Sequence, residues 1–171
     1  MPLHKLSEIE LRDHCKRTVE GLERWLRRLV DESLTAAYGP NYLSASRPSG
    51  DRVINADISR RITERAASEP LKYARAIDAA DLDDTIKIVC NPELYAAQFK
   101  HALSDAFPEG CTEARTFLSR LLSPRNALSH ARPISIHEAH RVLCYSQDVI
   151  EALKAHYQKG QLQKQYNVAQ A

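Results

Sequence analysis

The feature that most constrains the fold of this chain is an amphipathic segment of about thirty residues near its start. Ser7 and Glu10 have the spacing of a capping box, in which a serine and a glutamate close the first turn of a helix. Apolar residues then recur at helical spacing, namely Ile9, Leu11, Val19, Leu22, Trp25, Leu26, Leu29, Val30 and Leu34. Gly39-Pro40 stops the pattern. A helix that runs to about Tyr38 would span about 45 Å, which suits a long helix of a bundle.

The rest of the chain also has helical patterning. Shorter helices are predicted at about residues 55–67, 81–89, 91–107, 112–123 and 135–158. Five glycines and 6% aromatic residues favour helices over a sheet, and 171 residues are enough to bury a core. We therefore predict an all-α, up-and-down helical bundle of four to six helices with a long N-terminal helix. It would form a single domain over residues 1–159, followed by a polar tail over residues 160–171.

No membrane span, secretory signal or metal site is predicted. No apolar run approaches the roughly 18 residues that a membrane span needs, and no signal peptide opens the chain. The four cysteines are scattered without a CxxC pair, so neither a zinc knuckle nor a redox motif is indicated. The expected compartment is the cytoplasm, and the expected protein needs no metal and no cofactor.

Charge is distributed unevenly along the chain. Residues 66–113 carry four cations against nine carboxylates, whereas residues 114–171 carry eight cations against three carboxylates. The basic part has a balance of +5 and permits a polyanionic partner such as RNA. A solvated basic face would have the same composition.

The basic part contains the hexad Arg125-Asn126-Ala127-Leu128-Ser129-His130. An arginine can hold phosphate oxygens bidentately, and a histidine can move protons near neutral pH. By composition about two-thirds of one Arg-x4-His match is expected by chance, but requiring asparagine after the arginine lowers this to roughly a few hundredths. The hexad thus indicates metal-independent cleavage of an RNA phosphodiester. The alternative is a set of ordinary helix-end polar residues.

Helix geometry sets a condition for this chemistry. Residues five apart on an ideal helix differ by about 140° in azimuth, so Arg125 and His130 do not share a face, whereas Asn126 and His130 do. Convergence of the arginine and the histidine requires a helix end near His130, the reach of the arginine side chain or a second copy across a twofold axis. Pro133 favours such an end, because Arg132 before it is restricted from helical dihedral angles.

With Arg125-Asn126-x-x-x-His130, the chain resembles the HEPN superfamily, named for higher eukaryotes and prokaryotes nucleotide-binding. Residues upstream of the hexad look like one of its subgroups, in which an acidic short helix precedes a helix with two spaced aromatics. They are Leu71-Lys72-Tyr73, Asp81-Leu82-Asp83-Asp84, Ile86, Ile88, Phe99 and Phe107. That subgroup includes the helical domain of a transcript-surveillance endonuclease and free-standing prokaryotic defence and toxin-like proteins. Pro124 departs from the pattern, since the helix of family members continues through the arginine.

The resemblance implies a homodimeric endoribonuclease that acts without a metal. His130 would deprotonate the ribose 2′-hydroxyl or protonate the leaving 5′-oxygen, and Arg125 would stabilise charge in the transition state. Asn126 would orient His130 or a phosphate oxygen. Weaker candidates for substrate contacts are Ser129, Arg132 and His137. Its partners would be RNA, a second copy of the chain and a cognate antitoxin or effector protein in toxin-antitoxin or phage defence.

Two alternatives to the enzyme stay open: a non-catalytic module that binds RNA, nucleotide or a protein through the same cleft, and an interaction subunit that docks by its first helix.

Other charged groups have simpler interpretations. Arg24, Arg27 and Arg28 are expected on a solvated face, paired with Glu20, Glu23 and Asp31. The acidic cluster Asp81-Asp83-Asp84 is expected to cap a helix start and complement its dipole.

Overall fold

The computed structural model describes residues 7–169, with side chains described through residue 160. Six α-helices of eight or more residues account for most of it: α1 Glu8–Tyr38, α2 Ala56–Ser68, α3 Leu82–Val89, α4 Cys111–Ser119, α5 Leu122–Ser129 and α6 Ile136–Ala169. A 3₁₀ turn, Ala76–Ala79, precedes α3. Within the described part the only extended pairing is a bridge between Ser46 and Arg52. The predicted all-α fold with a long N-terminal helix is confirmed.

The chain divides into two compact units. One, the terminal unit, comprises the described residues of Met1–Leu22 and His101–Ala171, and the other, the central unit, is Glu23–Lys100. Helix α1 contributes its first part to the terminal unit and the rest to the central unit. The single domain over residues 1–159 stays a prediction. No helix of residues 7–169 is both long enough and apolar enough to cross a membrane.

The terminal unit is built around the apolar sides of α1, α4 and α6. Leu118 and Val142 are fully buried, and the Phe117 ring meets the Tyr145 ring edge-on at 4.7 Å between centroids. The buried Cys15 thiol donates a weak hydrogen bond to a backbone carbonyl of α6 at 3.8 Å. Burial raises the pKa of Cys15 to about 11, so this thiol is part of the core and stays protonated at neutral pH.

In the central unit a buried carboxylate joins α2 to α3. Asp84 receives hydrogen bonds from Arg61 at 2.6 Å and from Arg65 at 2.9 Å. Asp81 caps α3 as predicted, because its side chain accepts from the Asp84 backbone N–H at 2.8 Å. The predicted capping role of the acidic cluster therefore holds for Asp81, whereas Asp84 is turned inward against two arginines.

Three predicted helices differ in their bounds. The one expected to start near residue 112 ends at Ser119, and α5 begins separately at Leu122. Residues 92–103 form a mixed segment whose middle, Tyr95–Phe99, is π-helical. Helix α6 continues to Ala169, past the expected end near residue 158, because the added residues are mostly good helix formers. The proposed polar tail over residues 160–171 is thus helical as far as it is described.

Candidate active site at the end of helix α5

Helix α5 presents one packed side and one exposed side. Leu121, Pro124 and Leu128 are buried at the spacing of one helix face, and α5 contacts α6. Pro124 is the third residue of α5, where its missing N–H has no partner to lose in the helix. The proline that departs from the family pattern is therefore compatible with a helix that carries Arg125 in its interior.

The end of α5 is a Schellman motif built on alanine. The Arg132 N–H donates to the Ala127 carbonyl at 2.8 Å, and the Ala131 N–H donates to the Leu128 carbonyl at 3.4 Å. Ala131 has φ of +54°, the only positive φ of a non-glycine residue in the described part of the chain. His130 is the C-cap residue, so the predicted helix end near His130 is confirmed.

The end of α5 determines which hexad side chains reach solvent. Asn126, Ser129 and His130 are exposed, whereas Arg125 is half-buried at the edge of the packed side. On an ideal helix Asn126 and His130 lie about 40° apart, and Arg125 lies about 140° from His130. The exposed group within one chain is therefore the amide, the hydroxyl and the imidazole, with the guanidinium at its flank.

The two remaining candidates follow in the loop and the next helix. Arg132 is exposed two residues after His130, and its backbone is held by the Schellman motif. His137 is exposed in the first turn of α6, where its Nε2 lies 3.3 Å from a terminal nitrogen of Arg141. His137 therefore has a basic neighbour of its own on α6.

A second capping box closes this loop. The Ser135 N–H donates to the Glu138 carboxylate at 2.8 Å, and the Glu138 N–H donates back to the Ser135 hydroxyl at 3.1 Å. The hydrogen bond from the Ser135 backbone, with a second from its hydroxyl, lowers the pKa of Glu138. The two helix ends that border the loop are thus each fixed by local hydrogen bonds, which limits the freedom of the residues between them.

The candidate site is an exposed surface. The terminal unit has a cavity of about 480 Å³ that is lined by Asp105, Ala106, Asp148, Glu151, Ala152 and Ala155. None of the six candidate residues lines it. Five of the six candidate residues, all except Arg125, are exposed, so a substrate of the hexad would bind across the surface at the end of α5. In the described residues no three histidine, cysteine or acidic side chains are grouped so that they could hold a metal ion.

The structure also groups charged residues that the sequence pattern left apart. Of the acidic partners expected for the α1 arginines, Glu23 pairs with Arg27 at 2.9 Å, whereas Arg28 pairs with Glu32, which was not among them, at 2.8 Å. Arg75, for which no role was predicted, reaches Asp31 across 44 residues of sequence at 3.0 Å. A signal for Arg75 was available in the spacing Arg75-x-x-Asp78, which forms the capping contact of the 3₁₀ turn.

No known protein family, curated protein or solved structure matches this chain. The resemblance to the HEPN superfamily therefore depends on the residues of the hexad and its surroundings, and it stays a prediction.

Proposed function

We propose that this chain is a metal-independent endoribonuclease of HEPN type. The observation that carries the proposal is the end of α5 at His130, which exposes the imidazole on the same side as Asn126 with Arg125 at the edge. A histidine, an amide and a guanidinium within one and a half turns are the groups that general acid-base catalysis and phosphate stabilisation need. The basic balance of residues 114–171 supports RNA as the substrate.

In the proposed reaction the ribose 2′-oxygen attacks the adjacent phosphorus as the P–O5′ bond breaks. His130 takes the proton of the 2′-hydroxyl or gives a proton to the departing 5′-oxygen. Arg125 donates hydrogen bonds to the phosphate oxygens, where negative charge accumulates in the transition state. Asn126 orients the imidazole or one phosphate oxygen. The products are a 2′,3′-cyclic phosphate and a 5′-hydroxyl, and DNA is excluded because it lacks the nucleophile.

The active form is proposed to be a homodimer in which two α5 ends face each other. On an ideal helix Arg125 and His130 would lie about 140° apart, which would separate the phosphate-binding group from the proton-transfer group within one chain. A second copy related by a twofold axis would supply the missing group from the opposite side. The resemblance further suggests a toxin or phage-defence effector in the cytoplasm, held inactive by a cognate antitoxin or another protein.

A second candidate function is a non-catalytic module that binds RNA, nucleotide or a protein through the same surface. The observation in its favour is the same angular separation, because a half-buried Arg125 can hold a phosphate without any help from His130. The two functions differ in what loss of the imidazole does. An enzyme without His130 loses turnover, whereas a binding module without it keeps most of its affinity.

The test is cleavage of a structured RNA by the purified chain in excess EDTA. We expect wild-type protein to cleave, and Arg125→Ala and His130→Ala to lose at least about a hundredfold in rate, the usual contribution of one acid-base group. His140→Ala is the matched control, since His140 is an exposed histidine of α6 outside the proposed site. Cleavage that requires a divalent ion, or that survives both substitutions, contradicts the proposal. If the wild-type chain binds the RNA but neither it nor any variant cleaves it, the result favours the binding module.

The dimeric site has its own test in mixed dimers. An Arg125→Ala chain keeps His130, and a His130→Ala chain keeps Arg125, so a dimer of the two has one complete site if the groups come from opposite chains. Random mixing makes about half of the dimers mixed, so about a quarter of wild-type activity should return. If mixing restores nothing although each variant still dimerises, the two groups act from the same chain.

A further inference from the structure

A row of basic and aromatic side chains runs along one side of α6 in the terminal unit. His137, Arg141 and Tyr145 are four residues apart, so each lies about 40° around the helix and about 6 Å along it from the one before. The His137 Nε2 lies 3.3 Å from a terminal nitrogen of Arg141, so these two side chains meet. The row therefore starts in the first turn of the helix that follows the hexad and continues away from it for about two turns.

The far end of the row joins the C-terminal end of α4. The Tyr145 ring meets the Phe117 ring edge-on, and the Arg120 guanidinium lies over the Phe117 ring at 5.7 Å from its centroid. Arg120 also donates from Nη1 to the Tyr145 hydroxyl at 3.4 Å. Its guanidinium is thus positioned by two aromatic side chains and not by a carboxylate. These five residues, His137, Arg141, Tyr145, Phe117 and Arg120, form the basic-aromatic row.

The two arginines of the basic-aromatic row have donors to offer to an anion. Neither Arg120 nor Arg141 forms an ion pair with any carboxylate that the structure describes, and their only hydrogen-bond contacts there are those within the row. Glu138, one turn before Arg141, is engaged by the Ser135 N–H and hydroxyl. Arg120 is exposed and Arg141 is half-buried. Each guanidinium therefore keeps N–H groups for a ligand, and no described carboxylate neutralises its charge through an ion pair.

The aromatic residues of the row add a second kind of contact. Phe117 and Tyr145 are both half-buried, so part of each side chain faces solvent beside a guanidinium. Nucleic-acid bases stack on aromatic rings and on guanidinium groups, and phosphates accept charge-assisted hydrogen bonds from arginine. A single strand can use both contacts because its bases are unpaired, whereas a duplex keeps its bases stacked inside. The row therefore suits a single strand.

We propose that the basic-aromatic row binds a single strand of RNA, with phosphates on Arg141 and Arg120 and a base stacked against Phe117 and Tyr145. The inference rests on the proposed function, because it takes RNA as the substrate of the hexad. It narrows that substrate to RNA that is single-stranded where it leaves the hexad along α6. An acidic peptide offers charge to the arginines but no flat ring system to the aromatic residues.

The first test measures binding of a fluorescent single-stranded RNA in a His130→Ala background, which keeps the probe intact if the hexad cleaves it. Arg120→Gln and Arg141→Gln should each weaken binding about tenfold, because each removes a charge-assisted hydrogen bond to phosphate. Each should also lower the slope of log K against log salt by about 0.7. The matched control is Lys154→Gln, which removes the same charge from the same helix and should do neither. Lys154 is exposed and lies about 180° around α6 from Tyr145.

A substitution at Tyr145 separates stacking from charge. Tyr145→Leu keeps an apolar side chain beside Phe117 but offers no ring to a base, so binding should weaken at least about fivefold while the salt slope stays unchanged. Tyr145→Phe keeps the ring and should retain most of the affinity. Thermal melting of each variant verifies that it is folded, and the arginine variants carry the test if Tyr145→Leu is not.

The proposal is overturned by any of three results. These are equal binding by the arginine variants and Lys154→Gln, binding of duplex RNA or competition by polyglutamate as strong as that of the single strand, and no binding of single-stranded RNA at all. Cleavage is measured separately with His130 intact. If the wild-type chain cleaves RNA but the arginine variants bind like the control, the row fails and the proposed function stands. If binding depends on the row but nothing is cleaved, the catalytic proposal fails and the row stands.

Discussion

Replacing Asp84 by asparagine should destabilise the central unit by about 2–3 kcal/mol. The Asp84 side chain is 2% exposed and accepts from Arg61 at 2.6 Å and from Arg65 at 2.9 Å. Each hydrogen bond between charged groups contributes about 1.5–3 kcal/mol, and an asparagine keeps one acceptor oxygen while turning an amide N–H toward a guanidinium. The change therefore removes one hydrogen bond and the attraction between the carboxylate and the two guanidinium groups.

Because the two arginines are partly exposed, the expected loss of stability is smaller than for a fully buried ion pair. Removing one partner of a fully buried ion pair costs about 3–5 kcal/mol, because the remaining charge cannot reach water. The side chains of Arg61 and Arg65 are 38% and 35% exposed, so both can be rehydrated once the carboxylate is lost. Arg65 also keeps its bond to the Ala79 carbonyl at 2.6 Å.

Urea unfolding followed by tryptophan fluorescence measures this effect. The chain has one tryptophan, Trp25, which belongs to the same unit as Asp84, so its signal reports on that unit. A loss of 2–3 kcal/mol should lower the urea midpoint by about 0.7–3 M. The matched control is Asp83→Asn, since Asp83 is an exposed neighbour paired with Lys87 and should cost less than about 0.5 kcal/mol. Equal midpoints for the two variants would refute a stabilising role of the buried carboxylate.

Three further outcomes are expected. Ala131→Gly should raise the free energy of unfolding by about 0.5 kcal/mol. Glycine adopts φ of +54° without the strain of an L side chain, and this gain is only partly offset by its more flexible unfolded state. Urea titration checks the sign of the change. Because hydrogen bonds from Ser135 lower the pKa of Glu138, their stabilisation is present above pH 4.5 and is lost as the pH falls below that value, so Glu138→Gln should make unfolding less pH-dependent there. A thiol reagent at pH 8 should modify the exposed Cys144 first and reach the buried Cys15, whose pKa is raised to about 11, only after unfolding; an equal rate for both would contradict its burial.

Local signals in the sequence predicted local structure well. The Ser7 capping box and the helix end at Tyr38 are both found, because each depends on residues within a few positions of one another. The helix end at His130 was likewise predicted from Pro133. The left-handed residue that forms this end was not, because alanine occupies a position where glycine is usual.

Contacts between distant residues could not be predicted in the same way. Asp84 was expected at a helix start with the rest of its acidic cluster, and nothing in its neighbourhood indicates that Arg61 and Arg65 lie opposite it. The ion pair between Arg75 and Asp31 of α1 likewise requires the tertiary fold. For the same reason the residue types of the hexad predict a reaction, but their spacing does not predict how the side chains are arranged around a substrate. A facing copy of the chain is not encoded in the spacing of six residues.

The chemistry of the RNA ends tests the account most directly. A defined RNA incubated with the protein in EDTA should yield fragments with 2′,3′-cyclic phosphate and 5′-hydroxyl ends, identified by mass spectrometry, and a single 2′-deoxy substitution should abolish cleavage at that position. Both results follow if the 2′-hydroxyl is the nucleophile and His130 moves its proton. Fragments with 3′-hydroxyl and 5′-phosphate ends, or cleavage that persists at the 2′-deoxy position, would contradict the proposed function.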